Sequence, residues 1–558
     1  MPFQMIRRSP TASDCRQRLR QIHEEVETLE RRLSQLKYGE QRVKEHLDGL
    51  VLASSPIGKV SEDILREIFF HTLPDDEERR VPWASSSIRR TVAPMLLCFV
   101  SKKWREVAMG YSSLWGFLRL LIPPRHELEE AHNIGPQFTG ETAADTELAV
   151  KSFLTRWREI TKVSPLKLEL IMNCNRDPCF PSQLFSAIDF RRLTSLSLCR
   201  VPIAPLHTLQ PGSFPLLEDL IIHLFTPRDH RWGGWGPILA FLECPQLRRV
   251  AVDKLVSKGH TTIILPITQL THLIVRSASW EYFIDYMEKC PNLQYMHLVV
   301  PSNRERPSLT PRQDTWHWPT LTHLSIDCTS NPPDAYPFLL DHIDLSRLKS
   351  LQIFEAGLRW ANGLEDTFLQ RIHSMTSLER LSLRCSEEYE MEDALELFDY
   401  TPTITTLEIT AQPMDDQYRE VYERLADLFN SLTSSPDILP RLHTLILELA
   451  CGSIGNLEAS VLDFIESRSS TEAQTRLRRV VLRITRGAFT LPVNQSVCIP
   501  ELQSDGEEGG LIVELMDVPP EGNKYYKKTN WIINDLELGW PEVADLFTVG
   551  EVMAGRLQ

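Results

Sequence analysis

An apolar-x-x-apolar-x-apolar unit recurs eleven times between Leu193 and Leu482. It begins at Leu193, Leu217, Leu247, Leu270, Leu293, Leu321, Leu348, Leu378, Ile404, Leu442 and Leu477, with starts 23 to 38 residues apart. Alternation of period two is a strand signal, and an interval of this size leaves room for one returning segment between strands. No single unit can bury its own apolar row, so neighbouring units must stack until the rows merge into one core. The expected class is therefore α/β. At 558 residues the chain exceeds one ordinary compact core, and an elongated array with appendages accommodates it.

Helical patterns precede two of the strands. Phe283 to Lys289 leads into Cys290-Pro291-Asn292-Leu293, and Ile238 to Glu243 leads into Cys244-Pro245-Gln246-Leu247. These units resemble leucine-rich repeats, and the Cys-Pro-x-Leu junction resembles those of leucine-rich repeats in F-box proteins. The position that usually carries asparagine holds Val201, Phe225, Leu255 and Thr329 in four units, so the expected leucine-rich-repeat-like solenoid is irregular. It is placed over residues 165–485. Linker helices and a cap are expected over 119–164, and a C-terminal cap and tail over 486–558, with Leu511 to Leu515 as one more strand.

Toward the N-terminus a different period takes over. Leu19, Ile22, Val26, Leu29, Leu33, Leu36, Val43, Leu47 and Leu50 alternate steps of three and four, with Glu40 filling the one gap. This heptad stripe, flanked by charges of both signs, predicts a coiled-coil helix over 15–53 and a homodimer through it.

Residues 54–118 carry a third pattern. Val60-Ser61-Glu62-Asp63-Ile64-Leu65 opens it, Val100-Ser101-Lys102-Lys103-Trp104-Arg105 forms its middle, and Leu114-Trp115 closes it. Ser61 is a suitable helix N-cap, and Ile64, Leu65, Ile68 and Phe69 share one face of the helix behind it. The three submotifs, in this order, resemble the F-box. Ser61 stands where the F-box usually has proline, and Asp75 to Arg90 separates the first helix from the second. A coiled coil followed by an F-box with such an insertion also resembles large F-box families of mushroom-forming fungi.

Several function classes are disfavoured. A formal charge of -15 repels polyphosphate and offers no basic footprint for nucleic acid. No apolar run reaches the length of a membrane span, and the first residues lack a signal-peptide core. The eleven cysteines form no C-x-x-C pair, which argues for reduced thiols and a cytoplasmic or nuclear setting. The local signatures of hydrolases, zinc proteases and phosphate loops are missing, so neither enzyme activity, a metal nor a cofactor is expected. Trp232 to Pro237 is glycine-rich but lacks the lysine of a phosphate loop. The acidic runs Glu387 to Asp393 and Asp415-Asp416 read as solvated faces.

The F-box resemblance implies a non-catalytic role as the substrate-receptor subunit of a cullin-RING (SCF-type) ubiquitin ligase. Docking on a Skp-type adaptor is expected through Val60, Ile64, Leu65, Ile68, Leu96, Leu97, Val100, Trp104, Leu114 and Trp115, with Lys102 and Lys103 at the rim. Because alternate strand residues point to opposite faces, the buried leucines send their neighbours to the other face of the sheet. There His272, Arg276, Tyr295, His297, His323 and Phe354 are expected to hold a target protein, with histidines able to change charge near neutral pH. The alternative reading is a leucine-rich-repeat scaffold for protein interactions that does not engage the ligase.

Overall fold

The structure is a computed structural model that describes residues 12–54, 59–73, 93–122, 154–162, 164–172, 185, 188–201, 204–224, 236–256, 263–278, 289–299, 318–327, 345–354, 375–385, 391–411, 418–450, 456–469, 477–485 and 512–518. The insertion Asp75 to Arg90, Trp232 to Trp235 and Asp415-Asp416 lie outside them.

Helix α1 (Ala12–Ser54) matches the heptad stripe in extent. Three short helices follow: α2 (Glu62–His71), α3 (Leu97–Val100) and α4 (Lys102–Gly110). Ser61 caps α2, its Oγ accepting from the Ile64 amide at a long 3.5 Å and its carbonyl from the Leu65 amide at 3.0 Å. Its backbone sits at φ -65°, the value a proline ring would fix, so replacing proline here leaves the chain path unchanged. Ser101 caps α4 more tightly, accepting from the Trp104 amide at 3.1 Å.

Beyond these, the described residues form one parallel sheet of fourteen strands, whose spatial order is the sequence order, with helices and turns between them. The strands are β1 (Phe117–Ile122), β2 (Leu166–Met172), β3 (Leu193–Val201), β4 (Asp219–Leu224), β5 (Arg249–Val256), β6 (His272–Ala278) and β7 (Tyr295–Val299). They continue as β8 (His323–Asp327), β9 (Ser350–Phe354), β10 (Arg380–Cys385), β11 (Thr406–Ala411), β12 (Thr444–Ala450), β13 (Arg479–Thr485) and β14 (Ile512–Val518). The α/β class expected from periodicity is the class observed. The sheet is longer than 165–485: β1 starts at the end of the segment assigned to the F-box and runs into the stretch assigned to linker helices, and β14 lies in the expected cap. Residues 154–161 are helical, as expected there, and bury Leu154 and Trp157.

Register follows the sequence units. Leu220, Val250, Leu273, Met296, Leu324, Leu351, Leu381, Leu407, Leu445 and Val480 are successive partners across the strands. All are buried and belong to one core that continues into Leu65, Phe69 and Trp115 of the helical segment. Just before each strand from β4 to β12, one carbonyl serves two amides of the next unit: Arg248 accepts from Thr271 and His272, and Thr322 from Lys349 and Ser350.

The turn that introduces a unit also repeats. In Phe214-Pro215, Cys244-Pro245, Trp318-Pro319, Thr401-Pro402 and Leu439-Pro440 the first carbonyl accepts from the amide three residues on, at 3.1–3.4 Å. Proline at the second position presets the turn, while the first side chain is buried. Ile238 to Glu243 is not helical, contrary to expectation. Ile238 forms a bridge with Ile263, and the residues behind it form a turn. Between Pro237 and Pro245 too few residues remain to nucleate a helix, and Pro245 pushes Cys244 out of the helical region. Clear helices return later as α5 (Met391–Asp399), α6 (Tyr418–Ser434) and α7 (Asn456–Ser469), with Phe429 of α6 5.4 Å from Phe464 of α7. No helix among the described residues is long and apolar enough to cross a membrane.

Candidate functional site

The ten residues expected at the adaptor surface divide in two. Leu65, Leu97, Leu114 and Trp115 are buried and form core, so their expected role as direct contacts is corrected. Val60 and Trp104 are half-buried. Ile64, Ile68, Leu96 and Val100 are exposed, Ile64 at 56% and Val100 at 54%.

Helix α2 carries the division along its length. Leu65 and Phe69 face the core, while Ile64 and Ile68, one residue back on the same spacing, face solvent. Phe70 and Phe99, which the sequence reading did not single out as contacts, are also exposed. Their signal was present as surplus apolar residues: a short helix packing on one side does not need the five apolar positions in seven of Ile64 to Phe70, nor the unbroken apolar run Met95 to Val100.

Both elements that bear these side chains are fastened to α4. The Phe69 and Trp104 rings lie 4.9 Å apart, Lys103 Nζ donates to the Val60 carbonyl at 2.8 Å, and Arg105 Nε donates to the Cys98 carbonyl at 2.8 Å. Lys103 is thus a strut between α4 and the start of α2 rather than only a rim charge. The segment is then joined to the sheet. Trp115 Nε1 donates to the Ala108 carbonyl at 2.8 Å, and Trp157 Nε1 to the Trp115 carbonyl at 2.7 Å.

The expected target surface differs from expectation. His272, Tyr295 and His323 are partners in one register row: the His272 ring stacks on Tyr295 at 5.9 Å, and the His323 ring lies tilted against Tyr295 at 6.4 Å. In the next row His297 Nδ1 and Ser325 Oγ share a hydrogen bond of 2.9 Å. Tyr295, His297 and Ser325 are only 1–2% exposed, and Ile274 beside them 2%. In-register parallel strands place like positions about 4.8 Å apart, close enough for rings to cover each other. Both faces of the middle strands are closed, as is usual for parallel sheets. Tyr295 and His297 therefore present no free ring face to a partner, whereas His323 at the end of the row is half-buried. The side chains of Arg276 and Phe354 lie outside the described residues.

Charge flanks this aromatic row. Arg249 holds the Asp219 carboxylate bidentately, and Arg380 holds Glu408 at 2.9 Å. Burial pushes the His272 imidazolium down to about 4, with Arg249 and His323 adding to the effect. His323 falls to about 4 as well, from burial and then from Arg380 and Lys349. The expectation that they change charge near neutral pH is thereby overturned, because a cation in this dry row beside arginines is disfavoured. Burial raises the Tyr295 phenol, whose hydroxyl has no hydrogen-bond partner among the described residues. Burial also raises the Cys244 and Cys290 thiols to about 12.

Among the described residues no group of three or more His, Cys, Asp or Glu is placed to hold a metal ion. Compared with known proteins, the chain matches no family model, and no curated protein is significantly similar to it.

Proposed function

We propose that this chain is the substrate-receptor subunit of a cullin-RING (SCF-type) ubiquitin ligase, working in the cytoplasm or nucleus. The observation that carries the reading is the two-sided helix α2, which buries Leu65 and Phe69 yet exposes Ile64 and Ile68 beside exposed Leu96, Phe99 and Val100. Aliphatic and aromatic side chains left in water on a braced helical segment are the kind of surface that becomes the dry centre of a protein interface. Its F-box-like submotifs name the partner as a Skp-type adaptor. The parallel sheet and its flanking turns then act as an irregular leucine-rich-repeat-like solenoid that holds a target protein. Proximity to the ligase raises the effective concentration of target lysines, so no nucleophile or base is asked of the chain.

In this reading the row His272, Tyr295, His323 stiffens the sheet, and the target is held by other residues of that domain. The test replaces Ile64 and Ile68 by Asp in the full chain, and measures recovery of adaptor and cullin after affinity purification. Because both side chains are exposed, the melting temperature should stay within about 2 °C of the parent while adaptor recovery is lost. Undiminished recovery from a folded variant would reject this docking surface. Replacing Leu65 would be uninformative, since it would unmake the core.

A further inference from the structure

The nine aliphatic side chains of the α1 stripe, from Leu19 to Leu50, are 46–70% exposed along a helix of 43 residues. A lone helix of this kind leaves its seam in water. We infer that α1 is a homodimerisation element that pairs with a second copy of itself in antiparallel orientation.

The stripe fixes the heptad. Leu19, Val26, Leu33, Glu40 and Leu47 occupy the first seam position, and Ile22, Leu29, Leu36, Val43 and Leu50 the second. Orientation then follows from two independent features, the seam glutamate and the flanking charges.

In a parallel pair, like seam positions meet, so Glu40 faces Glu40 of the second copy and two carboxylates share one dry layer. In an antiparallel pair centred between Ser34 and Gln35, every first-type position meets a second-type one. Leu33 then faces Leu36, Val26 faces Val43, Leu19 faces Leu50 and Leu47 faces Ile22. Glu40 lies against Leu29, and the two Glu40 side chains stand about 16 Å apart along the axis at 1.5 Å per residue. The overlap uses the whole stripe, about 48 Å.

The flanking positions agree. Parallel pairing sets Glu25 beside Glu30 and Arg32 beside Lys37, each twice by symmetry, and like charges at these positions oppose association. Antiparallel pairing brings Glu30 beside Lys37 and Glu25 beside His46, each twice, with Arg32 beside Gly39. Its one like-type flank sets His23 beside Lys44.

Charge reversal at Glu30 separates the orientations, because its effect has opposite sign in each. Glu30→Lys sets a second cation against Lys37 in the antiparallel pair, whereas in the parallel pair it relieves the clash with Glu25. Sedimentation equilibrium of the full chain should show a dimer, weakened about tenfold by Glu30→Lys and restored by Glu30→Lys with Lys37→Glu. Leu29→Asp with Leu36→Asp should leave a monomer whose thermal unfolding matches the parent. The inference is overturned by a monomeric parent chain, by a dimer that survives the double Asp variant, or by tighter or unchanged association in Glu30→Lys.

Discussion

The Trp104 ring meets the Phe69 ring at 4.9 Å and 55°, so one aromatic contact holds the first helix of the segment to its last. Trp104 is half-buried, and truncating it removes this contact while leaving the fully buried Phe69 without its neighbour. Trp104→Ala should cost about 2–3 kcal/mol, measured as a lower denaturant midpoint of the helical segment. Unchanged unfolding would mean that Lys103 and the caps hold α2 without the ring.

Tyr295 gives the opposite sign. Its hydroxyl is buried with no hydrogen-bond partner among the described residues, an arrangement that opposes folding. Tyr295→Phe keeps the ring stack and removes the stranded group, so it should stabilise the chain by about 1 kcal/mol. A loss of stability in urea titration would reveal a partner for the hydroxyl.

The histidine row makes stability depend on acid. His272 and His323 stay neutral in the folded chain down to about 4, whereas their unperturbed value is 6.5. Between those values the unfolded chain binds more protons. The contribution is therefore fully present above pH 6.5 and is lost as pH falls toward 4, reaching about 3 kcal/mol for His272 and less for the more exposed His323. In His272→Gln the difference in unfolding free energy between pH 7 and pH 4.5 should shrink. An unchanged pH profile would place the acid sensitivity elsewhere.

Cys244 opens one of the repeated turns and Cys290 stands at the same place before Pro291, and burial raises both thiols to about 12. A thiolate is the reactive form, so neither should be alkylated by iodoacetamide at pH 8 in the native chain, and both should react once it is unfolded in urea. Rapid native labelling, read by peptide mass spectrometry, would contradict their burial.

Much of this architecture was legible because periodicity reports geometry directly. The step of two placed Leu324 and Ile326 in the core, and the alternation of three and four set the extent of α1. Periodicity does not say whether the second face of a strand is covered. His297 reads as facing away from the core because it alternates with the buried Met296 and Leu298, yet it bonds to Ser325 in a closed row. Likewise Leu65 and Ile64 are both aliphatic neighbours on one helix, and only packing on Trp104 and the sheet decides which is core. The helix expected at Ile238 to Glu243 failed for a local reason, two prolines too close together. Strand β1 was missed because Phe117 to Ile122 lies outside the recurring unit, although it pairs in register with β2.

Strand order that copies sequence order bears on how the protein is made. Each strand pairs with the one synthesised just before it, so no strand has to wait for a distant part of the chain to leave the ribosome. The sheet can lengthen as translation proceeds, one strand laid against a finished edge at a time. The newest edge stays open until the next strand arrives, and it is at that moving edge that a nascent chain of this design is most in need of a chaperone.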